Sequence, residues 1–248
     1  MSLISEVTCV IKSFRRPKSL EKLYKSIRDF YPNIKIVVVD DSGFDFEPLT
    51  KSMKKAWDND ENLVIDLAPF DIGLSAGRNR ALQLVETPFF VLLDDDFSFL
   101  KETKLETFLE YIKTYNLDLL GGCLLEGKAI RGMYKTMELR DGILYNHTAF
   151  YKKHDDKVYI TDKVYNFFMA RTATIKSVGW DNRLKLCEHT HFFLKCKTKN
   201  LSIGFTPHVL IQHDIARPND EYKKYRNRCK DTFEEILKNE WNIKEVKF

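Results

Sequence analysis

The first half of the chain alternates short apolar runs with stretches of helical period. Val7-Thr8-Cys9-Val10-Ile11 is apolar and β-branched, the pattern of a buried strand. Pro17 stands where a helix opens, and Leu20, Leu23, Tyr24 and Ile27 then recur at helical spacing to make one apolar face. Pro32-Asn33 breaks that pattern. Ile34 to Val39 predicts a second, very apolar strand that runs into Asp40-Asp41-Ser42-Gly43, and Leu63-Val64-Ile65 predicts a third. Gly73 to Gly77 reads as a loop, Arg78 to Val85 as a helix, and Phe89 to Leu93 as a fourth strand that ends on Asp94-Asp95-Asp96. Thr103 to Glu106 has the spacing of a capping box ahead of a helix bearing Leu105, Phe108, Leu109 and Ile112. Leu117 to Leu120 predicts a fifth strand, closed by Gly121-Gly122.

The second half has a different texture. Asp141-Gly142 marks a hairpin within Met137 to Tyr145, and Val158-Tyr159-Ile160 is another short strand. Thr172 to Val178, Cys187 to Lys197 and Glu221 to Lys238 read as helices, the last with Tyr222, Tyr225, Cys229, Phe233 and Ile236 on one side. Alternating strands and helices predict an α/β fold with a mostly parallel central sheet, right-handed crossovers and flanking helices. A small antiparallel element belongs to the second half. No repeat or linker divides the chain, so residues 1–248 are read as one domain: residues 7–122 form one half, and residues 123–248 form the other with the C-terminal helix.

Composition changes this picture little. A chain of 248 residues buries enough surface to fold without disulfides, and its five cysteines are widely spaced with no CxxC. That points to a reducing, cytoplasmic setting. A net charge of +4 gives no reason to invoke nucleic acid. No run reaches the ~20 apolar residues of a membrane helix, and the first residues lack a signal-peptide pattern.

The chemistry concentrates at predicted strand ends, where open α/β sheets bind ligands. Three adjacent carboxylates, Asp94, Asp95 and Asp96, repel one another. A hard divalent cation such as Mn²⁺ or Mg²⁺ would offset that repulsion and bridge a diphosphate; a solvated turn is the plainer alternative. Asp40-Asp41-Ser42 offers a carboxylate to a base N–H or to ribose hydroxyls, or merely turns the chain. In Ser75-Ala76-Gly77-Arg78-Asn79-Arg80 the small residues admit close backbone approach, and Arg78 or Arg80 could clamp phosphate. Neither GxGxxG nor a GxxxxGK[ST] phosphate loop is present.

The ordered set VTCVIKSFRR, IVVVDDS, GLSAGRNRAL and FFVLLDDDF resembles the GT-A glycosyltransferases, in particular inverting enzymes of the family 2 type. FYPNIKIVVVDDS, DIGLSAGRN and DDDF, with the later YNFFMART, VGWDNRL and CEHTHFFLK, are most similar to the ganglioside-type β-1,4-N-acetylgalactosaminyltransferases, over about residues 7–215. The resemblance implies a UDP-sugar donor, a Mn²⁺ or Mg²⁺ ion, a glycan acceptor and no nucleic acid. A lipid-linked acceptor would bring the enzyme to the inner face of a membrane. It places Lys12, Ser13, Phe14 and Arg15 on the uridine, Asp41 on the uracil ring and Arg78 near the nucleotide phosphates. Asp94, Asp95 and Asp96 match the DxD motif, Asp94 facing the ribose and Asp96 ligating the metal with His213. Inverting transfer needs a base for the acceptor hydroxyl. Glu188 matches the first acid of the family's ED-type motif, but His189 stands where many relatives carry the second. Glu188 is therefore the first choice of base. His191, three residues on along the helix, is a second base or an orienting partner, and His189 is third. Trp180 stacks on a sugar or fills the core. Gly121-Gly122 admits the donor sugar or makes a turn.

Two rivals remain at this stage. A sugar-phosphate nucleotidyltransferase would need a glycine-rich loop after the first strand, where Lys12-Ser13-Phe14-Arg15-Arg16 has none. A glycosyltransferase-like module that only binds carbohydrate is the other.

Overall fold

The first strand, β1 (Val7–Ser13), follows a four-residue helix α1 (Leu3–Glu6) and lies at the centre of a parallel unit. Its neighbours are β2 (Lys35–Asp40) and β4 (Phe89–Asp94), both parallel to it, and β3 (Leu63–Leu67) extends the sheet beyond β2. The structure is a computed structural model and describes residues 3–43, 57–214 and 230–247. Every residue of β1 and all but the first of β2 are buried, because helices cover both faces of a parallel sheet.

The remaining strands are β5 (Phe97–Ser98), β6 (Leu119–Glu126), β7 (Ala129–Arg131), β8 (Lys135–Arg140), β9 (Ile143–Thr148), β10 (Lys152–His154), β11 (Val158–Thr161), β12 (Phe168–Arg171), β13 (Ile203–His213) and β14 (Glu245–Lys247). Spatial order in the main sheet is β10-β11-β13-β6-β12-β4-β1-β2-β3, with β5 on β13 and β7 on β6. The sheet is mixed: β12 runs antiparallel between β4 and β6, so the predicted fifth strand does not sit beside the fourth. A second sheet of three strands, β14-β9-β8, contains the predicted hairpin. Asp141 (φ 54°) and Gly142 (φ 75°) both adopt the left-handed conformation of its turn.

Helices α2 (Pro17–Phe30) and α4 (Leu105–Thr114) pack on one face through Leu20, Leu23, Ile27, Phe108 and Ile112. Helices α3 (Leu74–Gln83), α5 (Thr172–Val178), α6 (Glu188–Thr198) and α7 (Lys230–Trp241) pack on the other through Ala81, Ile175, Phe192, Phe193 and Leu237. The predicted 221–238 helix is described from Lys230, so Tyr222, Tyr225 and Cys229 lie outside the described residues. The four other cysteines are free thiols. No described helix is long and apolar enough to cross a membrane.

Three local expectations fail for physical reasons. The segment read as a loop before Arg78 is already helical from Leu74, with Gly73 (φ 90°) ahead of it. The capping box does not form: Thr103 Oγ1 accepts from Leu100 N and donates to the Leu210 carbonyl, while Leu105 N donates to the Tyr31 hydroxyl, so a side chain from α2's exit caps α4 instead. Gly121-Gly122 does not end its strand. Both lie inside β6, where a Cβ would come 2.5 Å from Val164 Cβ and 2.7 Å from Phe167 Cε1. The glycines admit neighbouring side chains, not a sugar.

Candidate active site

The carboxyl ends of β1 and β4 open into a cleft of about 540 Å³. Its lining comes from two sets of elements: Lys12, Phe14, Arg16 and Arg78 with Asp94, Asp95 and Asp96 from the first half, and Met133, Tyr165, Asn166, Leu186, Cys187, Glu188 and His189 from the second, together with Glu126 and His213.

The three aspartates diverge onto different partners. Asp94 Oδ1 accepts from Arg78 Nη2 at 2.9 Å. Asp95, 5% exposed, accepts from Ser13 Oγ at 2.9 Å and Arg16 Nη1 at 2.8 Å. Asp96 Oδ2 pairs with Arg16 Nη2 at 2.9 Å and with His213 Nε2 at 3.6 Å. The repulsion assigned above to a bound cation is thus offset by the chain's own Arg16, Arg78 and His213. Burial pushes Asp94 up to about 6 and Asp95 up to about 7, against the pull of Arg78 on the first and Arg16 on the second. Burial also acts on Asp96, but the His213 bond and the Arg16 charge outweigh it and hold that carboxyl below the ordinary value. His213 is raised to about 9 by its contacts with Asp96 and Glu126, the latter at 2.9 Å from Nδ1, and is an imidazolium at neutral pH.

Strand pairing explains how a histidine so distant in sequence arrives here. His213 and Phe97 are register partners across β13 and β5, their rings 5.4 Å apart, and Asp214 N donates to the Asp96 carbonyl at 2.8 Å.

Glu188 reaches the cleft by a second device. Leu74 N donates to the Lys185 carbonyl at 2.8 Å, and a Cβ on Gly73 would lie 2.5 Å from Lys185 Cα. Only a glycine permits that crossing, which delivers Cys187 (φ 60°) and then Glu188 onto the first turn of α6. A carboxylate there is favoured by the helix dipole. Arg78, 1% exposed, bonds Glu188 Oε1 through Nη1 and Asp94 through Nη2, and so holds an acid from α6 and one from β4 at a fixed separation. With both ends engaged, its guanidinium has little left for phosphate.

Of the residues nominated from sequence, Lys12, Phe14, Arg78, Asp94, Asp95, Asp96, Glu188 and His213 line the cleft; Ser13, Arg15, Asp41 and His191 do not. Asp41 is buried, ion-paired with Lys12 and accepting from Gly73 N at 2.9 Å. Ser13 works from behind, through Asp95. Arg15 holds φ 52°, its N–H on Ser42 Oγ at 2.6 Å. His191 turns away from Glu188 toward Trp241, ring centroids 5.9 Å apart. His189 Nε2 donates to the Val164 carbonyl at 2.7 Å, and burial holds it well below the usual histidine value, so it is neutral. Trp180 is a core residue, stacked 4.5 Å from Phe192. Sequence reasoning passed over Arg16 and Glu126. Arg16 had a usable signal, a second arginine at a strand end directly before the helix-opening Pro17. Glu126 had none.

The family model for glycosyl transferase family 2 matches residues 8–179, more than two thirds of the chain. The chain belongs to glycosyl transferase family 2. This family 2 chain is 32% identical to β-1,4 N-acetylgalactosaminyltransferase 2 of Mus musculus over 89% of its own length and 43% of the relative's. It is 33% identical to β-1,4 N-acetylgalactosaminyltransferase 1 of the same organism, over 84% of its length and 38% of the relative's. It therefore spans less than half of the curated relatives it matches. Among solved structures, S. aureus TarS superposes with a TM-score of 0.62 at 20% identity, covering 94% of this chain and 40% of TarS. TarS 1-349 in complex with UDP-GlcNAc gives 0.61 at 20% identity, covering 88% and 60%. The shared fold is the GT-A fold expected from the sequence motifs.

Proposed function

We propose that this chain transfers a sugar, with inversion, from a UDP-sugar to a hydroxyl of a glycan acceptor, in the presence of a divalent cation. One observation carries the reading: Arg78 holds Asp94, at the end of β4, and Glu188, at the start of α6, together in the lining of one cleft. Membership of family 2 and the TarS complex with UDP-GlcNAc support a nucleotide-sugar donor; the relatives' names favour N-acetylgalactosamine among the candidates, with galactose, N-acetylglucosamine and glucose next.

The residues present fit a cation. Asp96 Oδ2 and His213 Nε2 lie 3.6 Å apart on the cleft wall, an oxygen and an imidazole nitrogen beside two further carboxylates. These two would hold Mn²⁺ or Mg²⁺ once Arg16 swings off Asp96 and His213 gives up its proton. When bound, such an ion supplies charge against the departing diphosphate. Phe14, its ring 5.7 Å from Phe70, offers an aromatic face to the base. Asp94, with one edge open, accepts from ribose. Arg16, freed from Asp95 and Asp96, is the mobile guanidinium for phosphate. Across the cleft Glu188 takes the acceptor proton as the hydroxyl attacks the anomeric carbon from the face opposite UDP. Arg78 positions that carboxylate and is itself a positioning residue. His191 has no part in this step. Leu186, Cys187, Met133, Tyr165 and Asn166 form the acceptor wall.

A thermal-shift screen of nucleotide-sugars with Mn²⁺ tests the donor, because a ligand of the native state raises its stability by mass action. The preferred UDP-sugar should give the largest shift and release UDP when an acceptor glycan is added. No shift from any UDP-sugar would overturn the reading. Pyrophosphate release from NTP and sugar phosphate would put a nucleotidyltransferase in its place. An acceptor carried on lipid, at a cytoplasmic membrane face, would follow if vesicle-borne acceptors outperform free glycans.

A further inference from the structure

Three ligand-bearing side chains meet outside the cleft. Asp181 lies in the turn after α5, His191 on α6 and Glu240 in the last turn of α7. His191 Nε2 is 4.0 Å from Asp181 Oδ2 and 3.9 Å from Glu240 Oε2, and one ligand atom from each residue fits within 4.8 Å of the other two. The His191 side chain is only 3% exposed, yet neither ring nitrogen has a hydrogen-bond partner. Buried polar atoms rarely stay unpaired in a folded protein, and each that does needs an explanation.

The surroundings narrow what that explanation can be. Trp241 meets the imidazole edge-on, with centroids 5.9 Å apart. Arg183, whose side chain is 55% exposed, bonds Asp181 and Glu240 Oε1, so Glu240 Oε2 is left facing the ring. Lys195 on α6 also acts on the imidazole. Burial first, then Lys195 and Arg183, hold His191 below the ordinary histidine value against the pull of Asp181 and Glu240. Nε2 of this buried ring thus stands beside two carboxylate oxygens, both beyond hydrogen-bond distance, which leaves the arrangement of a ligand set without its ion.

We infer that Asp181, His191 and Glu240 bind one zinc ion that ties α7 to α6. One imidazole nitrogen and two carboxylate oxygens are a ligand set that Zn²⁺ takes readily, with a fourth position left to water. Tetrahedral zinc with bonds of about 2.0–2.2 Å has ligand–ligand edges of roughly 3.4 Å, so the two histidine–carboxylate pairs, at 3.9 and 4.0 Å, need to close by about half an ångström, and the two carboxylates draw together from within 4.8 Å. Arg183 bonds both Asp181 oxygens as well as Glu240 Oε1, so zinc would take Asp181 Oδ2 from Arg183 while Oδ1 and Glu240 Oε1 keep their Arg183 bonds and anchor both carboxylates from outside. Because α6 begins with Glu188, the ion steadies the helix that carries the proposed base. The site is separate from the cleft, so it stands or falls independently of the donor reading.

The test is zinc titration of the whole chain after chelation, by calorimetry and by thermal unfolding, with Co²⁺ as the spectroscopic stand-in. Expected are one Zn²⁺ per chain, a tetrahedral Co²⁺ absorption band, and a rise of roughly 5 °C in Tm at saturating zinc. Glu240→Gln, at the surface, and His191→Gln should each weaken zinc binding at least ~10-fold while circular dichroism stays unchanged. Asp96→Asn should leave it intact. Failure to bind zinc, binding unaltered by Glu240→Gln and His191→Gln, or binding lost in Asp96→Asn would each overturn the assignment.

Discussion

The two walls of the cleft are charged in opposite styles. The β1–β4 wall crowds Asp94, Asp95 and Asp96 against Arg16, Arg78 and His213, all within hydrogen-bond or ion-pair reach. The α6 wall has one acid, Glu188, one neutral histidine, His189, and otherwise Leu186, Cys187, Met133, Tyr165 and Asn166. Under the proposed function, the first wall would exchange its internal ion pairs for the charges of an arriving diphosphate and cation, and the second would receive an uncharged polyol and remove one proton. Arg78 joins them, so the spacing of Asp94 and Glu188 rests on a single buried guanidinium.

The sharpest way to separate the walls is Glu188→Gln. Loss of the base should lower kcat of transfer about 10³-fold while the donor-induced thermal shift persists. If transfer survives, the base lies elsewhere and the contrast between the walls fails. Asp96→Asn should act on the other side, costing about 10²-fold in kcat and most of the Mn²⁺ dependence of the donor shift. UDP release against Mn²⁺ concentration measures both. An Asp96→Asn enzyme with full, metal-dependent turnover would break the charged-wall account.

A pH series on the free protein probes the charged wall, where Asp94, raised to about 6, acts in the same direction as Asp95. Asp95, raised from 3.8 to about 7, adds stability that is complete below 3.8 and lost as pH rises through 7. His213, raised from 6.5 to about 9, adds stability that is complete below 6.5 and lost as pH rises through 9. Asp96, held low, acts oppositely and only at acid pH. The Tm of the free chain should therefore fall from about pH 5 to about pH 9, with Asp95→Asn flattening the lower part and His213→Gln the upper. A slope unchanged in both variants would show that the wall is not the source. The smallest effect is expected from His189→Asn: a ring that only donates to Val164 should change kcat by roughly threefold or less, far below what loss of a general base costs.

Much of the donor wall was legible because local pattern and fold position coincide there. Apolar strands β1, β2 and β4 announce themselves by composition, and acids placed directly after them must emerge at the sheet's carboxyl edge. Legibility dropped where a side chain's role is set by a distant partner. Asp41, read as a nucleotide ligand, is enclosed by Lys12 and Gly73. His191 shares helical spacing with Glu188, yet one residue faces the cleft and the other α7, because α6 is buried on more than one side. Thr103 has capping-box spacing, but Tyr31 reaches Leu105 N first.

By itself the sequence determined the strand and helix periods, the hairpin turn at Asp141-Gly142 and the acids at the ends of β2 and β4, since each depends on neighbours along the chain. Tertiary structure alone decided that β12 inserts antiparallel between β4 and β6, that Arg16 spans Asp95 and Asp96, and that Arg78 joins Asp94 to Glu188. The physical reason is range. Backbone propensity and hydrophobic period act over a few residues, whereas the partner of a buried charge is whichever group the packed sheet and helices bring within about 3 Å of it.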